Sequence, residues 1–210
     1  SSNNNNNNKI YHQYSLYINN LILFLGRKSS LLVKKELLKL LQSIIINNVA
    51  NLKKMIKCII NNKGHFLSYI YSFLSVQLTN HDLYGLLQLR LQVIRFISSI
   101  ISYYSSQQHN AISLLLIKNN KKNQNNQYLL LGRLLILLEE CNNNIVLLMR
   151  TKKNQKNEKK KNEKIKKKYI QLMNELFGLI YILIKKSNIQ IQLAQHRHLF
   201  ISLITKFANK

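Results

Sequence analysis

Residues 174 to 207 read NELFGLIYILIKKSNIQIQLAQHRHLFISLITKF. In the first half of this stretch, apolar residues recur at steps of three and four, which is typical of a wide apolar stripe on an α-helix. The polar residues 185–188 then interrupt the pattern, and a second amphipathic helix is predicted to continue towards Phe207. The stretch therefore predicts two helices joined by a polar turn.

Three earlier segments repeat the apolar stripe of the first helix. The pattern is two apolar residues, one variable, two apolar, two variable and two apolar. It begins at Leu37, Val93 and Leu176, and in partial form at Leu134. The last two intervals, of about 40 residues each, match the period of armadillo and HEAT repeats, and the first is longer by about one helix.

These repeats predict an all-α fold, specifically a right-handed α-solenoid of about four helix pairs. The chain contains no proline and five glycines, so the turn residues that usually punctuate β-strands are scarce. An irregular helical bundle would bury the same apolar faces and remains the alternative architecture.

The helix pairs Leu37–Ile59, Leu134–Met149 and Leu176–Ile204 resemble armadillo/HEAT-type units, although they lack the glycine and proline signposts of armadillo units. This resemblance implies a non-enzymatic scaffold for protein–protein interaction inside a larger intracellular protein.

A second resemblance covers about thirty residues. Phe177–Ile180, followed by Asn188, Gln192 and His196–Phe200, is similar to a helix pair in the regulatory helical domains of inositol trisphosphate and ryanodine receptors. It implies a regulatory domain of an intracellular calcium-release channel as an alternative function.

Low-complexity and polar segments give the domain organisation. Residues 1–8 contain six consecutive asparagines and are predicted to be a linker, which indicates a fragment of a longer protein. Residues 9–210 are predicted to form the helical-repeat domain, with polar insertions at 118–127 and 151–168. The second insertion is predicted to be either a solvated loop or the first turns of a long helix that continues into Tyr169.

The individual helices can be placed from their apolar periodicity and their start and stop residues. Gly26 is expected to end the first helix, Ser29 or Ser30 to cap the second, and residues 80–82 to cap the long helix that follows. The predicted ranges are 9–25, 30–46, 49–60, 65–78, 83–104, 111–117, 127–141 and 145–149, with the two helices of residues 174–207 after them.

The basic charge of the chain predicts an acidic partner. There are 32 Lys and Arg residues against 7 Asp and Glu residues, a net charge of +25. Residues 151–168 alone hold ten lysines and two glutamates. The expected partner is a protein with an acidic or extended segment, with nucleic acid or an anionic membrane as the alternative through Lys152–Lys168.

Seven residues are the candidates for partner binding, because they are predicted to lie on exposed helix faces. They are Lys53, Lys54, Lys57, Arg150, Gln192, Gln195 and Arg197. For each of them, an ordinary solvated helix face is the competing interpretation.

The residues do not predict an enzyme, a metal or a cofactor. Glu139 and Glu140 are neighbours and point to different sides of a helix. His196 and His198 are two residues apart, so they diverge instead of chelating one metal ion. No glycine-rich phosphate loop is present in the sequence.

The two cysteines, Cys58 and Cys141, lie inside apolar helical patterns. They are expected to pack as small hydrophobic residues, and isolated thiols favour a reducing compartment, the cytoplasm or the nucleus.

Overall fold

The computed structural model describes residues 2–46, 48–61, 65–75, 82–102, 130–150 and 156–186, together with residues 201 and 205. Within these ranges the chain forms α-helices and no β-strand, which confirms the predicted all-α class. The helices are α1 (Ser2–Leu25), α2 (Leu31–Ile45), α3 (Val49–Asn61), α4 (His65–Ser75), α5 (Leu83–Ser102), α6 (Leu130–Arg150) and α7 (Lys156–Lys186).

The first helix differs from its prediction at one end. It ends at Leu25, before Gly26, as expected. It begins at Ser2 instead of Lys9, so the asparagine run extends the helix where a linker was predicted. Adding residues to an existing helix needs no new nucleus, which makes such an extension far easier than starting a helix in asparagines.

Side-chain caps fix where three helices begin. Ser30 Oγ accepts from the Val33 N–H at 3.3 Å at the start of α2. Asp82 Oδ1 accepts from the Gly85 N–H at 3.2 Å at the start of α5, and Asn48 Oδ1 accepts from Asn51 at the start of α3. Each cap satisfies a backbone N–H that the helix start leaves without a partner, and stabilises the helix by about 1 kcal/mol.

Residues 134–149, predicted as a helix pair broken at Asn142–Asn144, are part of the single helix α6. Asn142 is buried, and Asn144 Nδ2 donates to the Glu140 carbonyl at 2.8 Å, within the helix. Cys141 and Ile145 are buried one turn apart and carry the apolar side across the asparagines. The predicted break is wrong, because this burial outweighs the weak helix preference of asparagine.

The helices pack in two rows. In one row α5 contacts both α2 and α7, and in the other α4 contacts both α1 and α6. The rows meet in consecutive pairs, α1 with α2, α4 with α5 and α6 with α7, while α3 packs against α1 and α2. The apolar stripes at Leu134 and Leu176 are predicted to lie on the first helices of two successive helix pairs. They belong instead to α6 and α7, which contact each other as one pair.

The core is centred on α5. Of its 20 residues 12 are buried, including the predicted stripe from Val93 to Ile101. Phe96 meets Phe66 of α4 edge to face, with ring centroids 5.9 Å apart. Each buried large side chain of this kind contributes about 1.5–3 kcal/mol, so α5 holds the two rows together.

Residues 156–168 belong to α7. The helical alternative for the lysine-rich segment is therefore confirmed over that range. The predicted helix 111–117, the insertion 118–127 and most of the final helix after Lys186 lie outside the described residues.

Candidate partner-binding surface

The structure places four of the seven candidate residues. Lys53 and Lys57 are exposed on one face of α3, beside the half-buried Lys54, and Arg150 is exposed at the end of α6. Gln192, Gln195 and Arg197 lie outside the described residues, as do most of the residues after Phe177–Ile180 that resemble the receptor helix pair. The lysines of α3 are thus the only neighbouring candidates among the residues that the structure describes.

Three described glutamates, Glu36, Glu140 and Glu175, are bound to basic residues of the chain itself. Glu175 on α7 pairs with Arg95 on α5, with Oε1 and Nε 2.9 Å apart. Glu36 on α2 pairs with Lys35 and Lys39, and the hydrogen bond from Lys39 is the largest cause that lowers the pKa of Glu36.

Glu140 is held by two arginines from different helices. Its Oε2 lies 3.5 Å from Arg90 Nη1, and its Oε1 lies 3.2 Å from Arg133 Nη2. Arg90 Nε also donates to the Phe73 carbonyl at 3.4 Å, and Arg133 donates to the Leu74 carbonyl. Phe73 and Leu74 lie in the last turn of α4, so the two guanidinium groups satisfy carbonyls that a helix end leaves without intrahelical partners.

This arginine–glutamate cluster is structural. Burial is the first cause that lowers the pKa of Arg90, and Glu140 opposes it by favouring the charged form. Both carboxylate oxygens of Glu140 face guanidinium groups, so the carboxylate is held in two charge-assisted hydrogen bonds. The cluster joins α4, α5 and α6.

A second set of polar side-chain contacts connects α2, α5 and α7. Gln92 Nε2 donates to Gln42 Oε1 at 2.7 Å, and Gln42 Nε2 bonds Ser99 Oγ at 2.7 Å. Arg95 then extends these contacts to Glu175. Gln92 is buried, and because its amide is paired, it does not carry the cost of an unsatisfied polar group.

The cysteines are buried, as predicted, with 2% exposure at Cys58 and 0% at Cys141. Burial raises the pKa of the Cys141 thiol to about 12, which removes the thiolate that nucleophilic chemistry requires.

Among the described side chains, no three His, Cys, Asp or Glu residues come together to hold a metal ion. None of the helices searched in the described ranges is both long and apolar enough to cross a membrane.

An extended exposed surface belongs to α7. The inward side of this helix buries residues such as Ile165, Leu172, Leu176 and Leu183 against its neighbours. The opposite side is exposed from Lys160 to Tyr181. We call it the outer face of α7, and it consists of Lys160, Glu163, Lys164, Lys167, Ile170, Asn174, Phe177, Gly178 and Tyr181.

The outer face of α7 is divided along its length. Its first part, Lys160 to Lys167, is the lysine half. Its second part, Ile170 to Tyr181, is the apolar half, in which Ile170 is 41% exposed, Phe177 43% and Tyr181 63%. From Lys160 to Tyr181 the face measures about 30 Å, at about 1.5 Å per residue.

No protein-family model matches the chain, and comparisons with curated proteins and with solved structures find no significant match.

The apolar half is not among the predicted features, because the lysine-rich segment and the helix after Tyr169 have different patterns in the sequence. A continuous helix across Lys168 and Tyr169 aligns the two segments on one side. The signal is in the sequence, since Lys160, Lys167, Asn174 and Tyr181 follow each other at steps of seven. Steps of seven keep residues on one side of a helix.

Proposed function

We propose that the chain is a non-enzymatic scaffold that binds an acidic or extended segment of another protein. The observation that carries the proposal is the difference between the glutamates, which are paired within the chain, and the exposed lysines, which are not. Glu36, Glu140 and Glu175 are bound to basic residues of the chain itself. Exposed lysines on α3 and α7 face solvent instead, and in the part of the chain that is described they form no ion pair; they are Lys53, Lys57, Lys160, Lys161, Lys164 and Lys167.

Such a surface attracts anions from solution. Attraction between exposed charges acts over a Debye length of about 8 Å at physiological salt, and a net charge of +25 makes weak binding to many polyanions unavoidable. Specific recognition of a protein therefore needs contacts beyond charge. Exposed apolar residues beside the lysines, such as Ile170 on α7, supply them.

The proposed architecture is an armadillo/HEAT-like α-solenoid. The stacking of consecutive helix pairs supports it, because each pair contacts the next one in chain order, as in repeat proteins. Small-angle X-ray scattering of the full chain tests the shape. A compact domain of 210 residues has a radius of gyration of about 17 Å; we expect a clearly larger value, and a value near 17 Å would favour the irregular bundle.

Binding experiments with three fluorescent probes test the function. The probes are an extended Glu/Ser/Gly peptide, a single-stranded oligonucleotide with the same number of charges, and vesicles that contain phosphatidylserine. We expect the peptide to bind and to remain bound at physiological salt. Tenfold tighter binding of the oligonucleotide or the vesicles would contradict the scaffold function. It would identify the chain as a nucleic-acid or lipid binder, the alternative that the lysine half favours.

A further inference from the structure

The first turns of α7 form a helix that its own charges oppose. We call residues 156–168 the lysine-rich start of α7; they hold eight lysines against two glutamates. Lys160, Lys164 and Lys168 follow one another at steps of four, and like charges at this spacing lie side by side and destabilise a helix. Positive charge at the beginning of a helix is also unfavourable, because that end of the helix dipole is itself positive.

Little apolar burial offsets this repulsion. Between residues 160 and 168 the only buried side chain is that of Ile165, which is 7% exposed. Further along the same helix, Leu172, Leu176 and Leu179 are each at 0% exposure. Because helices in proteins owe most of their stability to such packing, the lysine-rich start is less firmly held than the remainder of α7.

Most of the described lysines in this segment lack an acidic neighbour. Lys168 is engaged within the helix, since its Nζ donates to Gln171 Oε1 at 2.9 Å. Four other lysines are exposed and form no ion pair in the part of the chain that the structure describes; they are Lys160, Lys161, Lys164 and Lys167. An anion that binds these four relieves a repulsion that the folded chain otherwise carries.

We propose that the lysine-rich start of α7 binds the acidic segment of the partner protein, and that this binding stabilises the first turns of the helix. Carboxylates of the segment lie between the lysine ammonium groups and cancel their repulsion. The helical hydrogen bonds of residues 156–168 therefore open less often when the partner is bound. This inference rests on the proposed scaffold function and specifies its site and the conformational change that accompanies binding.

The surrounding side chains favour a protein segment over other polyanions. Single-stranded nucleic acids stack their bases on exposed aromatic rings, whereas the adjacent Tyr169 is 4% exposed. Helices that lie in a membrane insert apolar residues, but Ile165 is buried and the exposed Ile170 follows only after Lys168. Glu163 is exposed among the lysines and repels a chain with a phosphate at every nucleotide. A peptide can place a neutral residue opposite this glutamate.

Hydrogen exchange of the full chain tests the conformational change. Exchange is followed by mass spectrometry at physiological salt, with and without the extended Glu/Ser/Gly peptide at about 100 times its Kd. We expect the peptide to slow exchange of the amides in residues 156–168 by about tenfold or more. Exchange in α5, whose residues are mostly buried, is expected to change by less than about twofold.

A pair of neutral substitutions separates the two parts of the proposal, because it should move two measurements in opposite directions. Lys160→Gln with Lys164→Gln is expected to weaken peptide binding about fivefold, by fluorescence anisotropy. The same variant without peptide should exchange the amides of residues 156–168 about threefold more slowly, since the repulsion is reduced. Lys53→Gln with Lys57→Gln on α3 is the matched control, expected to leave both measurements within about twofold. Circular dichroism checks that both variants are folded.

The remaining outcomes show which statement fails. Binding that is weakened only by the α3 variant would overturn the α7 site and leave the scaffold function standing. A bound peptide that leaves exchange in residues 156–168 unchanged would overturn the stabilisation of the helix. If the oligonucleotide or the vesicles slow that exchange and the acidic peptide does not, the occupant is wrong. If no acidic peptide binds anywhere on the chain, the proposed function falls together with the site.

Discussion

Glu140 on α6 lies 3.5 Å from Arg90 on α5, measured from Oε2 to Nη1, and only 7% of the Arg90 side chain is exposed. The same carboxylate reaches Arg133, and both arginines bind carbonyls at the end of α4. Three helices from two neighbouring pairs therefore share one charge cluster. Its integrity matters because each guanidinium would be a costly buried charge without Glu140.

Replacing Glu140 by glutamine is expected to lower the free energy of unfolding by about 2–3 kcal/mol. The change keeps the size of the side chain but removes the negative charge that both guanidinium groups face. Glu36→Gln is the control, because Glu36 is an exposed partner of Lys35 and Lys39 and solvent screens such a pair, so its loss is expected to change stability far less. Urea unfolding followed by circular dichroism measures both, and equal effects would contradict a structural role for the cluster.

The paired amides of α2 and α5 predict a coupling between two substitutions. Gln92→Leu is expected to destabilise the protein by about 1–2 kcal/mol, because the Gln42 amide loses its buried donor. Adding Gln42→Leu should recover part of that loss, since both polar groups are then removed. A double-mutant cycle measures the coupling; additive effects would show that the 2.7 Å contact contributes little.

Much of this fold follows from local patterns. The apolar stripe from Val93 to Ile101, the cap at Ser30 and the helix end before Gly26 depend on neighbours in sequence, and each is where the periodicity places it. The continuity of α6 across Asn142–Asn144 depends on burial by other helices. Local preferences do not contain that information. Asparagine favours loops and turns, so the local sequence predicts a break at these positions.

The candidate site was predictable only in part. Lys53 and Lys57 are exposed, as their positions on an amphipathic helix indicate. Which helices form a pair depends on contacts far apart in the chain. Arg90 shows this, since its partners Glu140 and Phe73 come from two other helices and no spacing in the sequence relates them to it.

The two phenylalanines Phe96 and Phe177 should respond very differently to truncation. Phe96 is fully buried against Phe66, whereas Phe177 is 43% exposed. Phe96→Ala is expected to cost about 3–5 kcal/mol through the lost burial and the cavity it leaves, and Phe177→Ala less than about 1 kcal/mol. Chemical denaturation of both variants measures the difference. A loss of stability in Phe177→Ala as large as that in Phe96→Ala would contradict the difference in burial between the two side chains.

The buried thiol of Cys141 predicts a loss of stability in alkali. Its pKa rises to about 12 in the folded chain from the ordinary value of 9.0. The unfolded chain therefore releases this proton first as the pH rises from about 9 to about 12. Stability is fully present below that window and falls within it, with a slope approaching about 1.4 kcal/mol per pH unit.

The substitution Cys141→Ala separates this effect from other groups, because Tyr71 and Tyr169 are also raised to about 12 by burial and contribute in the same direction. The variant should be less stable at pH 8 but lose stability less steeply between pH 9 and 11. A thiol reagent at pH 8 provides a second measurement, since neither cysteine should react until the chain is unfolded with urea. Rapid reaction of the native protein would contradict the burial of both thiols.

Two glycines at helix positions should respond oppositely to alanine. Gly178 lies inside α7 with open space around the position of a Cβ atom, so Gly178→Ala is expected to raise the free energy of unfolding by about 0.5–1 kcal/mol through better helix propensity. At Gly85 a Cβ atom would collide with the Asp82 carboxylate that caps α5. Gly85→Ala should therefore gain nothing, or lose up to about 1 kcal/mol as the cap is disturbed. Thermal and urea unfolding of the two variants test this contrast, and a destabilised Gly178→Ala variant would show that the outer face of α7 is covered in the folded chain.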